Sequence, residues 1–268
     1  MKSNKRQLKK ILPGWVQLLL AILVFGLSAN AQAEPGSGAE TANSRQTVLI
    51  TGANRGIGLE LARQYSAADW EVIGTARKPE AAVELRKLGG KIVQLDVTDQ
   101  ASVDRMAQSL SGTRIDLLIN NAGIQPLMWK IAEVDFDDFE RALAVNTVGP
   151  VRVTQALVAN LRLSEYRRII NVTTNLSSIT DNTDGGFYGY RESKAALNMF
   201  TKSLAAELGP EGFVCIVMHP GWVKTDLGGQ QAPLEVEESA SGIRAVIEGL
   251  SPVDNGTFKT WAGKEMAW

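Results

Sequence analysis

The run Thr47-Val48-Leu49-Ile50-Thr51-Gly52-Ala53-Asn54-Arg55-Gly56-Ile57-Gly58 constrains the fold of this chain more than any other stretch. Its first four residues form a short apolar, β-branched run and predict a buried strand. Behind the glycines, Leu59, Leu61, Ala62 and Tyr65 recur as the apolar face of a helix. Strand, glycine turn and helix in that order make a cradle for a dinucleotide. Gly52 permits the tight turn, Gly56 lets backbone approach a pyrophosphate, and Gly58 allows close packing of the helix. The helix N-terminus then presents free N–H groups to phosphate charge. Asn54, Arg55 and Ile57 complete the turn and are expected to contact the cofactor with it.

The pattern repeats. A second strand over 71–75 ends at Ala76-Arg77. Folds that prefer NAD place an acid near this strand end for the ribose 2′-hydroxyl. Here alanine stands in that place, and Arg77 follows as a bidentate partner for a 2′-phosphate, with Arg55 as a second. The expected cofactor is therefore NADP(H). A third strand over 91–95 ends in Asp96-Val97, whose carboxylate can accept from an adenine amino group. A fourth over 115–119 ends in Asn120-Asn121-Ala122-Gly123, the last three being expected cofactor contacts. Strands alternating with helical segments at this spacing imply a parallel sheet with ligands at the strand carboxyl ends.

Charge removes other classes. Residues 1–33 hold five basic residues and no acid, leaving 23 basic against 29 acidic residues beyond them. That mildly acidic body gives nucleic acid no basic face to bind. One cysteine, Cys215, forbids an internal disulfide, and one histidine, His219, forbids a histidine-rich metal site; no metal is expected. The leader itself reads as a basic stretch, an apolar run and a small-residue Ala29-Asn30-Ala31-Gln32-Ala33, the layout of a signal peptide. Uncleaved, it would instead anchor the protein at the inner membrane. Residues 34–46 read as a flexible linker. The expected location is periplasmic or secreted.

Thr51 to Gly58, Asn120 to Gly123 and Tyr190-Arg191-Glu192-Ser193-Lys194 together resemble the short-chain dehydrogenase/reductase superfamily, over nearly the whole chain after the leader. The stretch 178–198, with Thr225-Asp226-Leu227-Gly228-Gly229, is similar to the branch of C-factor and sniffer-type carbonyl reductases. The resemblance implies an α/β fold, a single doubly wound Rossmann domain over 47–268 with a parallel, seven-stranded sheet. It also implies a homodimer or homotetramer.

Tyr190 and Lys194 lie four apart on one helix face. A phenol titrates near 10; a neighbouring ammonium should pull that value down and fit it for proton exchange. Tyr190 would protonate a carbonyl oxygen as nicotinamide delivers hydride, and act as base in the reverse direction. The resemblance further implies that Lys194 binds the nicotinamide ribose and that Asn146 holds a water in the proton relay. The serine that polarises the carbonyl has two counterparts. Matching by strand end, in a fifth strand over 168–174, selects Thr174. The commonest gap to the tyrosine, about thirteen residues, selects Ser177. The longer connection of the C-factor-like branch favours Thr174. After a sixth strand over 214–218, Pro220 and Gly221 form a turn that would set Val223 and Thr225 beside the carboxamide. His219 and Cys215 read as structural, and Trp222 and Phe187 as substrate-site or core residues.

The substrate segments 176–187 and 228–238 carry no arginine or lysine, which favours a small neutral carbonyl or alcohol. The alternative is a C-factor-like signalling protein that binds NAD(P) with little turnover.

Overall fold

Seven short strands, all parallel, form one sheet in the computed structural model, which describes residues 45–268. The expected leader over 1–33, and the linker but for its last two residues, lie outside the described residues. The strands are β1 (Thr47–Ile50), β2 (Glu71–Ala76), β3 (Lys91–Gln94), β4 (Leu117–Asn120), β5 (Arg168–Val172), β6 (Val214–His219) and β7 (Phe258–Thr260). Their order is β3-β2-β1-β4-β5-β6-β7, so the winding reverses between β1 and β4. Ligands of doubly wound sheets bind at that switch point.

Helices α1 (Gly56–Ala67), α2 (Val83–Lys87), α3 (Gln100–Ser109), α4 (Phe136–Leu143), α5 (Gly149–Arg162), α6 (Tyr190–Leu208) and α7 (Val236–Glu248) cover both faces. Side chains alternate across a strand. Val48 and Ile50 therefore join Leu61, Tyr65, Ile243 and Ile247 on the α1–α7 side. Leu49 joins Val103, Leu157 and Leu208 on the α3–α5–α6 side. A strand buried on both faces has no polar side to show in its sequence, which is why β1 reads as one unbroken run.

Several boundaries depart from the sequence reading. β4 starts at Leu117 because Asp116 turns inward at the base of the sheet. Its carboxylate accepts from the Thr47 N–H at 2.7 Å and the Ser164 hydroxyl at 2.6 Å. β5 stops at Val172, since Thr174 already caps a 3₁₀ turn over Asn175–Ser177. Leu59 is only half-buried, on the wall of a cleft at the strand ends. Glu60 takes its place inside, with its carboxylate bonded by Arg63 and Gln64. Between α4 and α5 the chain widens into a π-helical turn, Ala144–Val148, a feature frequent at functional sites.

Candidate active site

A cleft of about 810 Å³ opens at the carboxyl ends of the strands. Gly52, Asn54, Arg55, Gly56 and Ile57 form one wall. Gly56 holds φ at +54°, the left-handed region that side chains disfavour. Gly58 lies just outside the cleft. A Cβ there would come within 2.4 Å of the Gly52 carbonyl oxygen and 2.5 Å of Asn121 Nδ2, so a side chain would push α1 off the strand ends. No side chain caps α1, and its first-turn N–H groups are left for a ligand. This wall fits a pyrophosphate.

Ala76, Arg77, Asp96 and Val97 line the same cleft beyond the glycine turn. Arg77 is exposed. Asp96 Oδ1 accepts from Thr98 N at 2.9 Å and Thr98 Oγ1 at 2.7 Å. These bonds, helped by the charges of Arg77 and Arg141, hold its carboxyl below the usual range. Arg55 pairs with Asp226 at 3.1 Å at the cleft wall, both side chains exposed, a contact worth under ~1 kcal/mol.

Asn121, Ala122 and Gly123 continue the lining. Asn121 Nδ2 is spent on the carbonyl oxygens of Thr51 and Gly52, and the N–H groups of Asn121 and Ala122 both donate to Thr51 Oγ1. The motif thus ties β4 to the glycine turn. Pro220 and Thr225 line the cleft as expected. Gly221 and Val223 do not: Val223 is buried and bridges to Leu234, so both shape the loop from behind.

Tyr190 opens α6, where Gly189 N donates to the Glu192 carboxylate at 2.6 Å and fixes the helix start. Tyr190 and Lys194 both line the cleft and both are buried. The expected effect of Lys194 on the phenol needs correction. Burial raises Tyr190 to about 12, and the group opposing that rise is the neighbouring Thr174 hydroxyl. Nζ of Lys194 instead donates to the Val172 carbonyl at 2.7 Å, and burial lowers this ammonium to about 8.

The two serine counterparts occupy different environments. Thr174 Oγ1 accepts from Leu176 N at 3.2 Å, donates to Asn175 Oδ1 at a long 3.3 Å, and stands beside the Tyr190 phenol. Ser177 Oγ faces away, donating to the Thr174 carbonyl at 2.5 Å and accepting from Asn198 Nδ2 at 2.9 Å. Asn146, at the centre of the π-helical turn, is fully buried. Its amide donates to Ile124 O at 2.8 Å and Ser193 Oγ at 3.0 Å, while its Oδ1 accepts from Ile124 N at 2.9 Å. Thr174, Ser177 and Asn146 do not line the cleft themselves, and Ser177 lines a small separate pocket with Ile179 and Trp268.

His219 ends β6 with its Nδ1 buried and unpartnered, and burial lowers the ring to about 4. Burial pushes the Cys215 thiol up to about 12, which leaves it inert. Phe187 packs on Trp129 at 4.1 Å between ring centroids, and Trp222 is largely exposed. Among the described residues no cluster of histidine, cysteine or carboxylate could hold a metal. The sequence reading missed Thr98, Ile124, Arg141 and Lys224, which also line the cleft. Thr98, two residues after Asp96, carried a local signal; Arg141, on a separate helix, carried none.

A doubly wound sheet with a glycine turn at its switch point, and a buried tyrosine–lysine pair facing the same cleft, define a dinucleotide-dependent oxidoreductase of the Rossmann class. The family model described as short chain dehydrogenase matches residues 46–235, and the chain belongs to that family. It is 46% identical over 154 residues to the C-signal of Myxococcus xanthus, covering 58% of this chain and 93% of that protein. Among solved structures, the carbonyl reductase Sniffer of D. melanogaster shares 35% identity with a TM-score of 0.79, covering 84% of this chain and 100% of that one. The NADPH-bound carbonyl reductase from chicken fatty liver shares 36% identity with a TM-score of 0.77, covering 84% and 99%. The expected superfamily, its C-factor and sniffer-like branch, and the seven-stranded parallel fold are borne out.

Proposed function

We propose that this protein is an NADP(H)-dependent oxidoreductase that interconverts a carbonyl and an alcohol, with Tyr190 as the acid/base. The observation that carries the reading is the buried Tyr190–Lys194 pair, one helical turn apart and both lining the cleft beside the glycine turn. When bound, the cofactor supplies or takes up the hydride. At neutral pH a phenol at about 12 keeps its proton, so Tyr190 suits donation to a carbonyl oxygen in the reductive direction. The Thr174 hydroxyl, turning its proton from the long bond to Asn175 Oδ1, would donate a second hydrogen bond to that oxygen and draw charge from it. Lys194, held by the Val172 carbonyl, would bind the nicotinamide ribose. Arg77 would hold the 2′-phosphate, and Asn146 holds the backbone of Ile124 at the cleft wall.

Segments 176–187 and 228–238 are free of arginine and lysine and carry several acids, which supports a small neutral aldehyde, ketone or quinone. A homodimer or homotetramer, exported to the periplasm or beyond by the leader over 1–33, is part of the same proposal. The alternative is a leader that stays as an inner-membrane anchor; among the described residues no helix is long and apolar enough to cross a membrane. The test is NADPH oxidation against a panel of neutral carbonyls. Tyr190→Phe should abolish turnover and leave NADPH affinity nearly intact. NADPH binding by the unaltered protein without turnover of any carbonyl would favour the signalling reading instead.

A further inference from the structure

The end of β5 presents a problem of registration. The acid and the carbonyl-polarising hydroxyl sit on different elements, α6 and the segment after β5, and reaction requires them to agree to a fraction of an ångström. Past Thr173 N, which donates to the Met218 carbonyl at 2.9 Å, the sheet ladder gives that segment no further support. A closed ring of buried side chains takes over that role. Thr173, Thr174, Ser177 and Asn198 are 2%, 7%, 3% and 3% exposed. Asn198 lies on α6 one turn beyond Lys194 and two beyond Tyr190, on the same face.

The protons of the ring can be counted. Thr173 Oγ1 donates to Asn198 Oδ1 at 2.8 Å. Asn198 Nδ2 donates to Ser177 Oγ at 2.9 Å. The Ser177 hydroxyl proton then has one acceptor left, the Thr174 carbonyl at 2.5 Å. The remaining approach, Thr173 Oγ1 to Ser177 Oγ at 3.0 Å, needs no proton of its own. Ser177 has nothing to offer a substrate, because its donor is committed within the protein and Asn198 already takes its oxygen. Through Asn198 the ring ties α6 to Thr173 and Ser177 on either side of Thr174, and Ser177 in turn holds the Thr174 carbonyl.

From this we infer that Ser177 and Asn198 are positioning residues for the carbonyl reduction, locking the Thr174 hydroxyl in register with Tyr190 through the Thr173–Asn198–Ser177–Thr174 ring. The inference rests on the proposed oxidoreductase activity. Neither residue touches the substrate. They act by fixing where Thr174 stands.

The test is Ser177→Ala, a small change that deletes the bond to the Thr174 carbonyl, with Asn198→Ala as a second entry to the same ring. Each should lower kcat by about ten- to a hundredfold, with NADPH Kd unchanged. The double variant should lose no more than the worse single one, as expected of residues acting as a unit. A crystal structure of Ser177→Ala should show the Thr174 hydroxyl displaced from hydrogen-bonding distance of the phenol. Unchanged kcat, additive losses, or a fall in kcat accompanied by rises in KM and NADPH Kd with Thr174 still in place would overturn the inference. Should the unaltered protein reduce no carbonyl, the oxidoreductase reading fails. The crystal structure then still decides whether the ring holds Thr174 against Tyr190.

Discussion

Replacing Thr174 with valine exchanges a hydroxyl for a methyl in nearly the same volume, and isolates two tasks of one oxygen. In the ground state Oγ1 accepts from Leu176 N at 3.2 Å and caps the 3₁₀ turn. That bond is worth about 1 kcal/mol, equivalent to a fall of roughly 2–4 °C in Tm for a domain of this size. In the proposed transition state the same hydroxyl would face the developing oxyanion, where removing one donor costs about 10²–10³ in kcat, or roughly 3–4 kcal/mol. The catalytic loss should therefore far exceed the loss of stability. The hydroxyl also opposes the burial that raises Tyr190 to about 12. Its removal should drive the phenol higher and move the rising limb of alcohol oxidation, which needs the phenolate, to more alkaline pH. Steady-state rates in both directions across pH, with NADPH affinity measured separately, provide the assay. Thr174→Ser keeps the hydroxyl and should retain most turnover. If Thr174→Val kept kcat within a few-fold and an unshifted pH limb, the assignment of the carbonyl-polarising group to Thr174 would be wrong.

Arg77→Asp should weaken NADPH binding by about 1.5–3 kcal/mol, or ten- to a hundredfold, while sparing NADH; equal losses for both in equilibrium titration would contradict the 2′-phosphate contact. Burial brings Lys194 from 10.5 to about 8, so between those values the unfolded chain holds a proton that the folded chain lacks, and stability rises with pH across that window. Lys194→Met should abolish turnover yet be roughly 2 kcal/mol more stable at neutral pH, after allowing for the lost bond to Val172, and should lose the alkaline rise; denaturant unfolding at neutral and alkaline pH reads both, and a less stable variant would refute it. His219, the one histidine in the chain, is lowered from 6.5 to about 4, so stability should fall as pH drops through that window while the unfolded ring gains a proton first. His219→Gln should flatten that acid limb in pH-dependent unfolding, and an unaltered limb would mean that the ring is not desolvated.

The nucleotide half was readable because its signals are local. A strand buried on both faces leaves a continuous apolar run, and the turn after it needs its glycines in fixed places, so β1 and the start of α1 could be placed from residues 47–58 alone. Tyr190 and Lys194 were legible through helical spacing. That spacing could not convey where the ammonium points. Proximity along the helix suggested an effect on the phenol, but Nζ reaches across to Val172, and burial governs both groups. The choice between Thr174 and Ser177 was hidden for a similar reason. Both are hydroxyls at plausible distances from Tyr190, and they are distinguished by Asn198, 21 residues from Ser177 in sequence. The seventh strand was implied by the resemblance but could not be placed, because the three residues of β7 offer too short a run to register a pattern.

The parallel winding of the sheet has a consequence for incomplete chains. The cleft draws on the glycine turn, the end of β4, the start of α6 and the loop after β6, and no two of these are neighbours in sequence. A nicked or half-synthesised polypeptide would therefore hold no partial pocket and no residual turnover. Conversely, a nucleotide that recognises only the finished arrangement would protect it everywhere at once, by about 2.7 kcal/mol at a hundredfold excess over Kd. Resistance to protease gained on adding NADPH should thus spread along the whole domain and not stop at the residues in contact.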